Sequence, residues 1–187
     1  LADGRKTFLD FREKAPLAAT PGMFLGADGN VVPGRSTRSH LAVGVPGTVH
    51  GLEMAREMYG TMSRAALIVP AIRHAEQGFV LEQGDVDMLR AASEDFRKDP
   101  ASAAIFLNNG QPFVVGQRLV QKDLARTLQR ISAEGVRGFY QGPVGAAIVA
   151  SSQAGNAAGK GLITQADLDQ YATREMKPVE CDYRGYR

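Results

Sequence analysis

One arginine in a short alternating segment is the side chain best suited to bind a small charged ligand. Apolar and polar residues alternate over residues 7–14, with Arg12 opposite Phe11, which predicts a half-buried strand. A guanidinium on a rigid strand offers a planar fork of donors that fits a carboxylate in a bidentate manner. From the residues alone, a structural ion pair of Arg12 with Asp10 or Glu13 is the favoured interpretation.

The other groups capable of chemistry are better explained by structural roles. His40, His50 and His74 lack the spacing of metal ligands, and we expect them to be surface or packing histidines. The glycine-rich residues 44–51 lack the Gly-Lys-Ser/Thr ending of a phosphate-binding loop, so they predict a tight backbone turn. Cys181 is interpreted as a buried or incidental thiol. No catalytic residue and no metal ligand is therefore assigned.

Composition and charge pattern exclude several classes of protein. The chain has 187 residues, of which 44% are hydrophobic and 22% charged, as in ordinary globular proteins. The net charge is +2, and acidic and basic residues are interleaved, so we expect no nucleic-acid partner. Pro70 interrupts the longest apolar run, residues 65–72, so no membrane span is expected. The start at Leu1 and the turn-like end predict an internal piece of a larger protein.

Helical periodicity dominates the rest of the chain. The spacing of apolar residues predicts helices over residues 48–59 and 122–134, each stopped by a glycine. Further helices are predicted over residues 63–67, 70–77, 85–96, 143–152 and 164–171. Short strands are predicted at residues 105–107 and 113–115 and in the tail, residues 177–187. The expected fold is mostly α with small β pieces at both ends, in a single unit over residues 1–187.

Several short stretches follow one another in an order that is typical of a known enzyme family. They are Leu9–Pro16 with Met23–Leu25, Ala42–Leu52, Tyr59–Thr61, Ala71–Arg73, Gly78–Phe79, Asp123–Leu128, Phe139–Gly142, Thr164–Tyr171 and Tyr183–Tyr186. Together they resemble the middle of the large subunit of γ-glutamyltransferases. In this resemblance Arg12 occupies the position of the family's substrate-binding arginine.

The resemblance implies a fold and a reaction. The chain would be a fragment of an α/β N-terminal-nucleophile hydrolase, an αββα sandwich whose precursor cuts itself to free a threonine nucleophile on a small subunit. A γ-glutamyl group would pass from glutathione or a related compound to that threonine, then to water or to an amino acid or peptide acceptor. Arg12 would hold the donor α-carboxylate. No cofactor is implied, and the implied location is periplasmic or secreted.

The resemblance also leaves alternatives open. None of Thr20, Thr48 and Thr164 is followed by the family's processing motif, so the fragment alone should be inactive and would need the small subunit of the same precursor. The alternatives are a cephalosporin acylase or poly-γ-glutamate processing relative, and a non-catalytic helical scaffold. Uncovered apolar helix faces would allow a homodimer of the fragment. The loop at residues 155–160 looks longer than the family's usual connection and has no assigned role.

Overall fold

The computed structural model describes residues 1, 3–155 and 159–186, which group into two compact units. The first unit comprises Leu1–Arg64 with Glu134–Arg187, and the second comprises Ala65–Ala133. The single unit that we expect over residues 1–187 stays a prediction. The centre of the predicted long loop, residues 156–158, lies outside the described residues.

The described residues are mostly helical and carry only short strands, which confirms the expected helical class. The helices are α1 (Arg35–Arg38), α2 (Thr48–Tyr59), α3 (Arg64–Gln77), α4 (Gln83–Ala91), α5 (Ser93–Lys98), α6 (Pro100–Phe106), α7 (Lys122–Glu134), α8 (Arg137–Tyr140), α9 (Gly142–Ala154) and α10 (Gln165–Asp169), with a 3₁₀ turn at His40–Ala42. The strands are β1 (Phe8–Asp10), β2 (Phe79–Val80), β3 (Arg118–Leu119) and β4 (Arg174–Met176). Within these described ranges, no helix is long and apolar enough to cross a lipid bilayer.

The β pieces at the two ends of the chain pair with each other in the first unit. Strands β1 and β4 are antiparallel, and Phe8 lies opposite Met176. The strand predicted over residues 7–14 is shorter than expected, because β4 offers only three paired residues. A few residues after β1, Lys14 forms an isolated antiparallel bridge with Val45.

A capping box starts α10 and connects it to the N-terminal segment. The Asp167 carboxylate accepts hydrogen bonds from the Thr164 backbone at 2.8 Å and from the Leu17 backbone at 2.6 Å. Asp167 is only 5% exposed. Burial raises the pKa of this carboxyl, but its hydrogen bonds from Thr164 and Leu17 together outweigh burial and leave the pKa below its usual value. The capping box predicted at Thr164 is confirmed.

Each unit has its own buried core. The core of the first unit consists of Val45, Tyr140, Ile163, Leu168 and Tyr171. The core of the second unit consists of Leu81, Val86, Phe113 and Leu119. Val45 and Tyr171 come from segments far apart in sequence, so the core of the first unit packs the residues just before α2 against α10 and the residues that follow it.

Two helix predictions in the second unit are wrong in their boundaries. The expected break at Pro70 does not occur, and α3 runs through it as one helix. An interior proline removes one backbone hydrogen bond and crowds the carbonyl four residues before it, at a cost of about 3 kcal/mol, and the other hydrogen bonds and the packing of α3 offset this cost. Conversely, the helix predicted over residues 85–96 is interrupted at Ala92, which separates α4 from α5.

The strand predicted at residues 105–107 is also wrong, because α6 extends to Phe106. Asp99 caps this helix, since its side chain accepts a hydrogen bond from the Ser102 backbone at 2.9 Å. Pro100 follows in the first turn, where its missing N–H costs nothing. Instead of a strand at residues 113–115, the second unit contains the antiparallel pair of β2 and β3.

Candidate functional site

Arg12 lies at an open cleft of about 640 Å³ in the first unit. The cleft is lined by Phe8, Leu9, Asp10, Phe11, Arg12, Glu13, Thr48 and Met176. Its walls therefore come from β1 and the residues after it, from the start of α2 and from β4. The Arg12 side chain is 82% exposed, so its guanidinium is accessible to a ligand.

The Arg12 guanidinium is paired with the carboxylate of its neighbour Glu13. Its Nε donates to the two carboxylate oxygens at 3.1 and 3.0 Å, and its Nη2 lies 3.0 Å from one of them. The hydrogen bond with Glu13 raises the pKa of Arg12. Of the two ion-pair partners considered from the sequence, Glu13 is the one that the guanidinium contacts. The binding of a substrate by Arg12 stays a prediction.

Asp10 has a different partner across the small sheet. It lies opposite Arg174, and their side chains form an ion pair at 2.6 Å. The hydrogen bond from Arg174 holds the pKa of Asp10 below its usual range. The Asp10 carboxylate also accepts a hydrogen bond from the backbone N–H of Arg12, at 3.4 Å. The Asp10 carboxylate is therefore engaged by Arg174 and does not occupy the Arg12 guanidinium.

The hydroxyl of a buried tyrosine is hydrogen-bonded to the backbone of Arg12. The Tyr171 hydroxyl donates to the Arg12 carbonyl at 2.8 Å, and the residue is only 6% exposed. Its ring stacks on Tyr140, with centroids 5.8 Å apart and planes 12° apart. The ammonium of Lys14 lies 4.9 Å from the ring centroid of Tyr171. The carbonyl of Arg12 is thus hydrogen-bonded to a side chain that belongs to the core.

The glycine-rich segment before α2 allows close packing against the Arg12 segment. A Cβ atom on Gly47 would overlap the Tyr171 hydroxyl and the backbone carbonyl of Phe11, and a Cβ on Gly51 would overlap the Phe11 side chain. Only glycine lets these chains approach so closely. The structure therefore explains the glycines by packing, which fits the expectation of a tight backbone segment better than that of a nucleotide site.

The histidines and the cysteine are not gathered at the cleft. His50 packs edge-on against two tyrosine rings, and its Nδ1 lies 2.9 Å from the Thr173 hydroxyl. His40 Nδ1 lies 2.8 Å from a backbone carbonyl, and His74 is in α3. Cys181 is a free, exposed thiol. In the part of the chain that the structure describes, no three potential ligands are close enough to hold a metal ion.

A second polar cluster surrounds Glu53 in α2. Its carboxylate accepts from Arg56 at 2.7 Å and also from Arg64. The Glu53 side chain is 11% exposed, and the two arginines are 22% and 24% exposed. Hydrogen bonds from Arg56 and then from Arg64 lower the pKa of Glu53 to about 2. This cluster connects α2 to the start of α3 and was not predicted from the sequence.

The Glu53 cluster should make the protein sensitive to acid. The pKa of Glu53 falls from 4.5 to about 2 on folding, so its contribution to stability is complete above pH 4.5 and is lost as the pH falls towards 2. This pKa shift corresponds to a contribution of at most about 3 kcal/mol to the free energy of unfolding, and screening by solvent around the two arginines reduces that contribution to about 2 kcal/mol. We expect Glu53→Gln to lower the free energy of unfolding by about that amount at pH 7. Urea unfolding at a series of pH values from 7 to 2, followed by circular dichroism, measures it.

Glu57→Gln is the matched control for the Glu53 prediction. Glu57 also pairs with Arg56, at 3.2 Å, but its side chain is 60% exposed. An exposed ion pair contributes little to stability, so this variant should unfold like the wild type. A difference between wild type and Glu53→Gln that stays constant from pH 7 to pH 2 would contradict the prediction.

Sequence reasoning singled out Arg12 but missed the residues that hold it. Tyr171 and Arg174 lie about 160 positions away from Arg12, and local patterns do not reveal contacts over such separations. A sequence signal that could have indicated close packing is the pair of Gly47, the N-cap of α2, and Gly51, one turn later. This signal does not identify Phe11 and Tyr171 as the residues that the two glycines contact.

The chain is similar to one protein family and to several known proteins. The family described as gamma-glutamyltranspeptidase matches residues 1–187. A glutathione hydrolase proenzyme of Pseudomonas sp. (strain A14) is 68% identical over 187 residues, which are 100% of this chain and 32% of that protein. The Acylase ACY 1 proenzyme of Pseudomonas sp. (strain V22) is 37% identical over 192 residues, covering 100% of this chain and 34% of that protein.

A solved structure agrees with these sequence matches. Helicobacter pylori gamma-glutamyltranspeptidase superposes with a TM-score of 0.95 and 44% identity, over 100% of this chain and 52% of that one. The chain therefore spans about a third of the length of the two Pseudomonas relatives and about half of the solved chain. From the match over all 187 residues, this chain belongs to the gamma-glutamyltranspeptidase family.

Proposed function

We propose that this chain is the middle part of the large subunit of a γ-glutamyltransferase that hydrolyses glutathione and related γ-glutamyl compounds. The observation that carries the proposal is the exposed Arg12 guanidinium at the cleft, at the position that resembles the family's substrate-binding arginine. The 68% identity to a protein named glutathione hydrolase proenzyme supports the same activity.

In this proposal the nucleophile lies in the part of the precursor that follows the chain. The precursor cleaves itself and frees a threonine at the start of the small subunit, whose amine accepts the hydroxyl proton. The threonine oxygen attacks the γ-carbonyl of the donor, and the C–N bond breaks as the threonine ammonium returns the proton to the leaving amine. Water or an acceptor amine then attacks the resulting ester, the C–O bond to the threonine breaks, and the threonine hydroxyl regains a proton. The complete enzyme would be an αββα sandwich in the periplasm or outside the cell.

Arg12 would bind the α-carboxylate of the donor in place of Glu13. The guanidinium already presents Nε and Nη2 to a carboxylate, since both contact Glu13 at 3.0–3.1 Å. A donor carboxylate needs the same two donors in the same plane. The Arg12–Glu13 pair is exposed and therefore weak, so a ligand that gains further contacts in the cleft can displace Glu13.

An acylase is the second candidate function, because the Acylase ACY 1 proenzyme also covers the whole chain. Its identity of 37% is well below the 68% of the glutathione hydrolase relative, which favours γ-glutamyl donors. A non-catalytic scaffold is the third candidate. The three differ in which acyl group, if any, the full-length protein removes from an amine.

A panel of two anilides tests the proposed function on the full-length processed protein. We expect the γ-glutamyl anilide to be hydrolysed with a kcat/KM at least about 100-fold above that of the glutaryl anilide. Glutaryl anilide has the same chain length but lacks the amino group, so chain length is matched. Faster hydrolysis of the glutaryl anilide would indicate an acylase, and hydrolysis of neither would indicate a scaffold.

A further inference from the structure

We propose that Tyr171 is a positioning residue that sets the location of Arg12 through a hydrogen bond to its backbone carbonyl. This inference rests on the proposed function, because it assigns a role in the binding of the donor α-carboxylate. The Tyr171 hydroxyl lies 2.8 Å from the Arg12 carbonyl oxygen. Tyr171 itself does not line the cleft, so it acts on the ligand only through Arg12.

The Arg12 side chain is held only loosely by the body of the protein. It is 82% exposed, and its guanidinium contacts Glu13, its neighbour in the chain, whose side chain is 53% exposed. An exposed ion pair between neighbours imposes little restraint on either side chain. The position of the guanidinium therefore depends on how firmly the backbone at Arg12 is fixed.

The backbone at Arg12 is linked to the core by a hydrogen bond from a buried side chain. Strand β1 has already ended at Asp10, so the Arg12 carbonyl is outside the sheet. The next backbone pairing is the bridge of Lys14 with Val45, where the two N–H···O distances are 3.1 and 2.7 Å. Between these two anchors the hydrogen bond from Tyr171 connects the carbonyl of Arg12 to a buried side chain.

The surroundings of Tyr171 orient its hydroxyl towards that carbonyl. The ring is stacked on Tyr140 and contacts the edge of His50, with centroids 5.8 Å apart in both cases. Lys14 lies over the ring and donates to the Ala172 carbonyl at 2.7 Å. Because Tyr140, His50 and Lys14 contact the ring of Tyr171, the ring cannot rotate away from Arg12, and packing determines where its hydroxyl points.

Gly47 provides independent support for this role. A side chain there would overlap both the Tyr171 hydroxyl and the Phe11 carbonyl, next to Arg12 in the chain. The backbone before α2 is thus shaped so that the Tyr171 hydroxyl and the Arg12 segment can meet.

Tyr140 offers a matched control for the hydrogen bond of Tyr171. It belongs to the same stack, is 5% exposed, and donates its hydroxyl to the Pro46 carbonyl at 2.7 Å. Burial raises the pKa of Tyr140 to about 12 and also raises that of Tyr171, so both hydroxyls stay protonated donors. Tyr140→Phe and Tyr171→Phe each remove one buried hydroxyl, but only the second removes a contact with Arg12.

The experiment measures how strongly the full-length processed protein prefers a γ-glutamyl anilide over the same compound with its α-carboxylate converted to carboxamide. The ratio of the two kcat/KM values comes from one enzyme sample, so partial loss of folded protein cancels. We expect Tyr171→Phe to reduce this ratio about 5- to 10-fold, mainly through KM, and Tyr140→Phe to leave it unchanged. Arg12→Ala should abolish the preference.

The outcomes separate the inference from the proposed function. A Tyr171→Phe ratio equal to that of the wild type, with the preference abolished in Arg12→Ala, would overturn the positioning role and leave the function standing. Equal losses in Tyr171→Phe and Tyr140→Phe would show a merely structural effect and overturn the role as well. A wild type that hydrolyses neither compound would overturn both.

Discussion

The Arg12→Ala variant of the full-length processed protein will hydrolyse γ-glutamyl anilide with a kcat/KM at least about 100-fold below that of the wild type. The substitution removes the two N–H donors that now contact Glu13 and that would bind the donor α-carboxylate. Steady-state kinetics on purified protein measures the effect. Arg12→Lys should lose about 10-fold, because it keeps the positive charge and loses the planar fork.

The control for Arg12 is another exposed arginine with a local carboxylate partner. Arg126 in α7 pairs with Asp123, and its side chain is 67% exposed. Arg126→Ala should therefore change kcat/KM by less than about twofold. If Arg12→Ala and Arg126→Ala behave alike while the wild type is active, Arg12 is only a member of an ion pair and the α-carboxylate is bound elsewhere.

The elements that the sequence predicts well are those with local start and stop signals. Helix α7 begins and ends where the spacing places it, at Lys122 and Glu134, and α2 covers the predicted residues 48–59. In both cases a glycine follows an amphipathic segment, and glycine readily ends a helix. These signals depend only on neighbouring residues, so tertiary contacts do not alter them.

The wrong strand prediction at residues 105–107 lies where two local signals conflict. Pro100 correctly predicts the end of the preceding helix, since α5 ends at Lys98, and with Asp99 before it and Ser102 after it the same proline begins α6. The apolar residues 105–107 then belong to the end of a helix rather than to a strand. A cap and a proline in the first turn outweigh a short run of apolar residues, because a run of three has no clear period.

The candidate site was only half predictable, because its arginine and its supports are far apart in the chain. The alternating segment and the family resemblance identified Arg12. The pairing of β1 with β4, and with it the contact of Asp10 with Arg174, joins residues 164 positions apart. Nothing in either segment alone specifies this partner, since three-residue strands carry too little pattern to fix a pairing.

Gly47 connects the packing of the core with the Arg12 segment, and its replacement should be among the most damaging single changes in the chain. Its backbone is buried, and a Cβ atom would overlap the Tyr171 hydroxyl and the Phe11 carbonyl. The second obstacle is backbone and cannot rotate away. Overpacking and the poorer N-cap of α2 together predict a loss of about 3 kcal/mol for Gly47→Ala. Urea unfolding of the full-length protein measures it.

Gly84→Ala distinguishes this packing effect from a general effect of replacing glycine. Gly84 lies in the first turn of α4, and a Cβ atom there meets no atom within 4 Å. Alanine favours the helix and restricts the unfolded chain, so this variant should be neutral or more stable by up to about 1 kcal/mol. A Gly47→Ala protein as stable as Gly84→Ala would mean that the Arg12 segment can move away from α2 at no cost. The close approach at Gly47 would then not hold Arg12 in place.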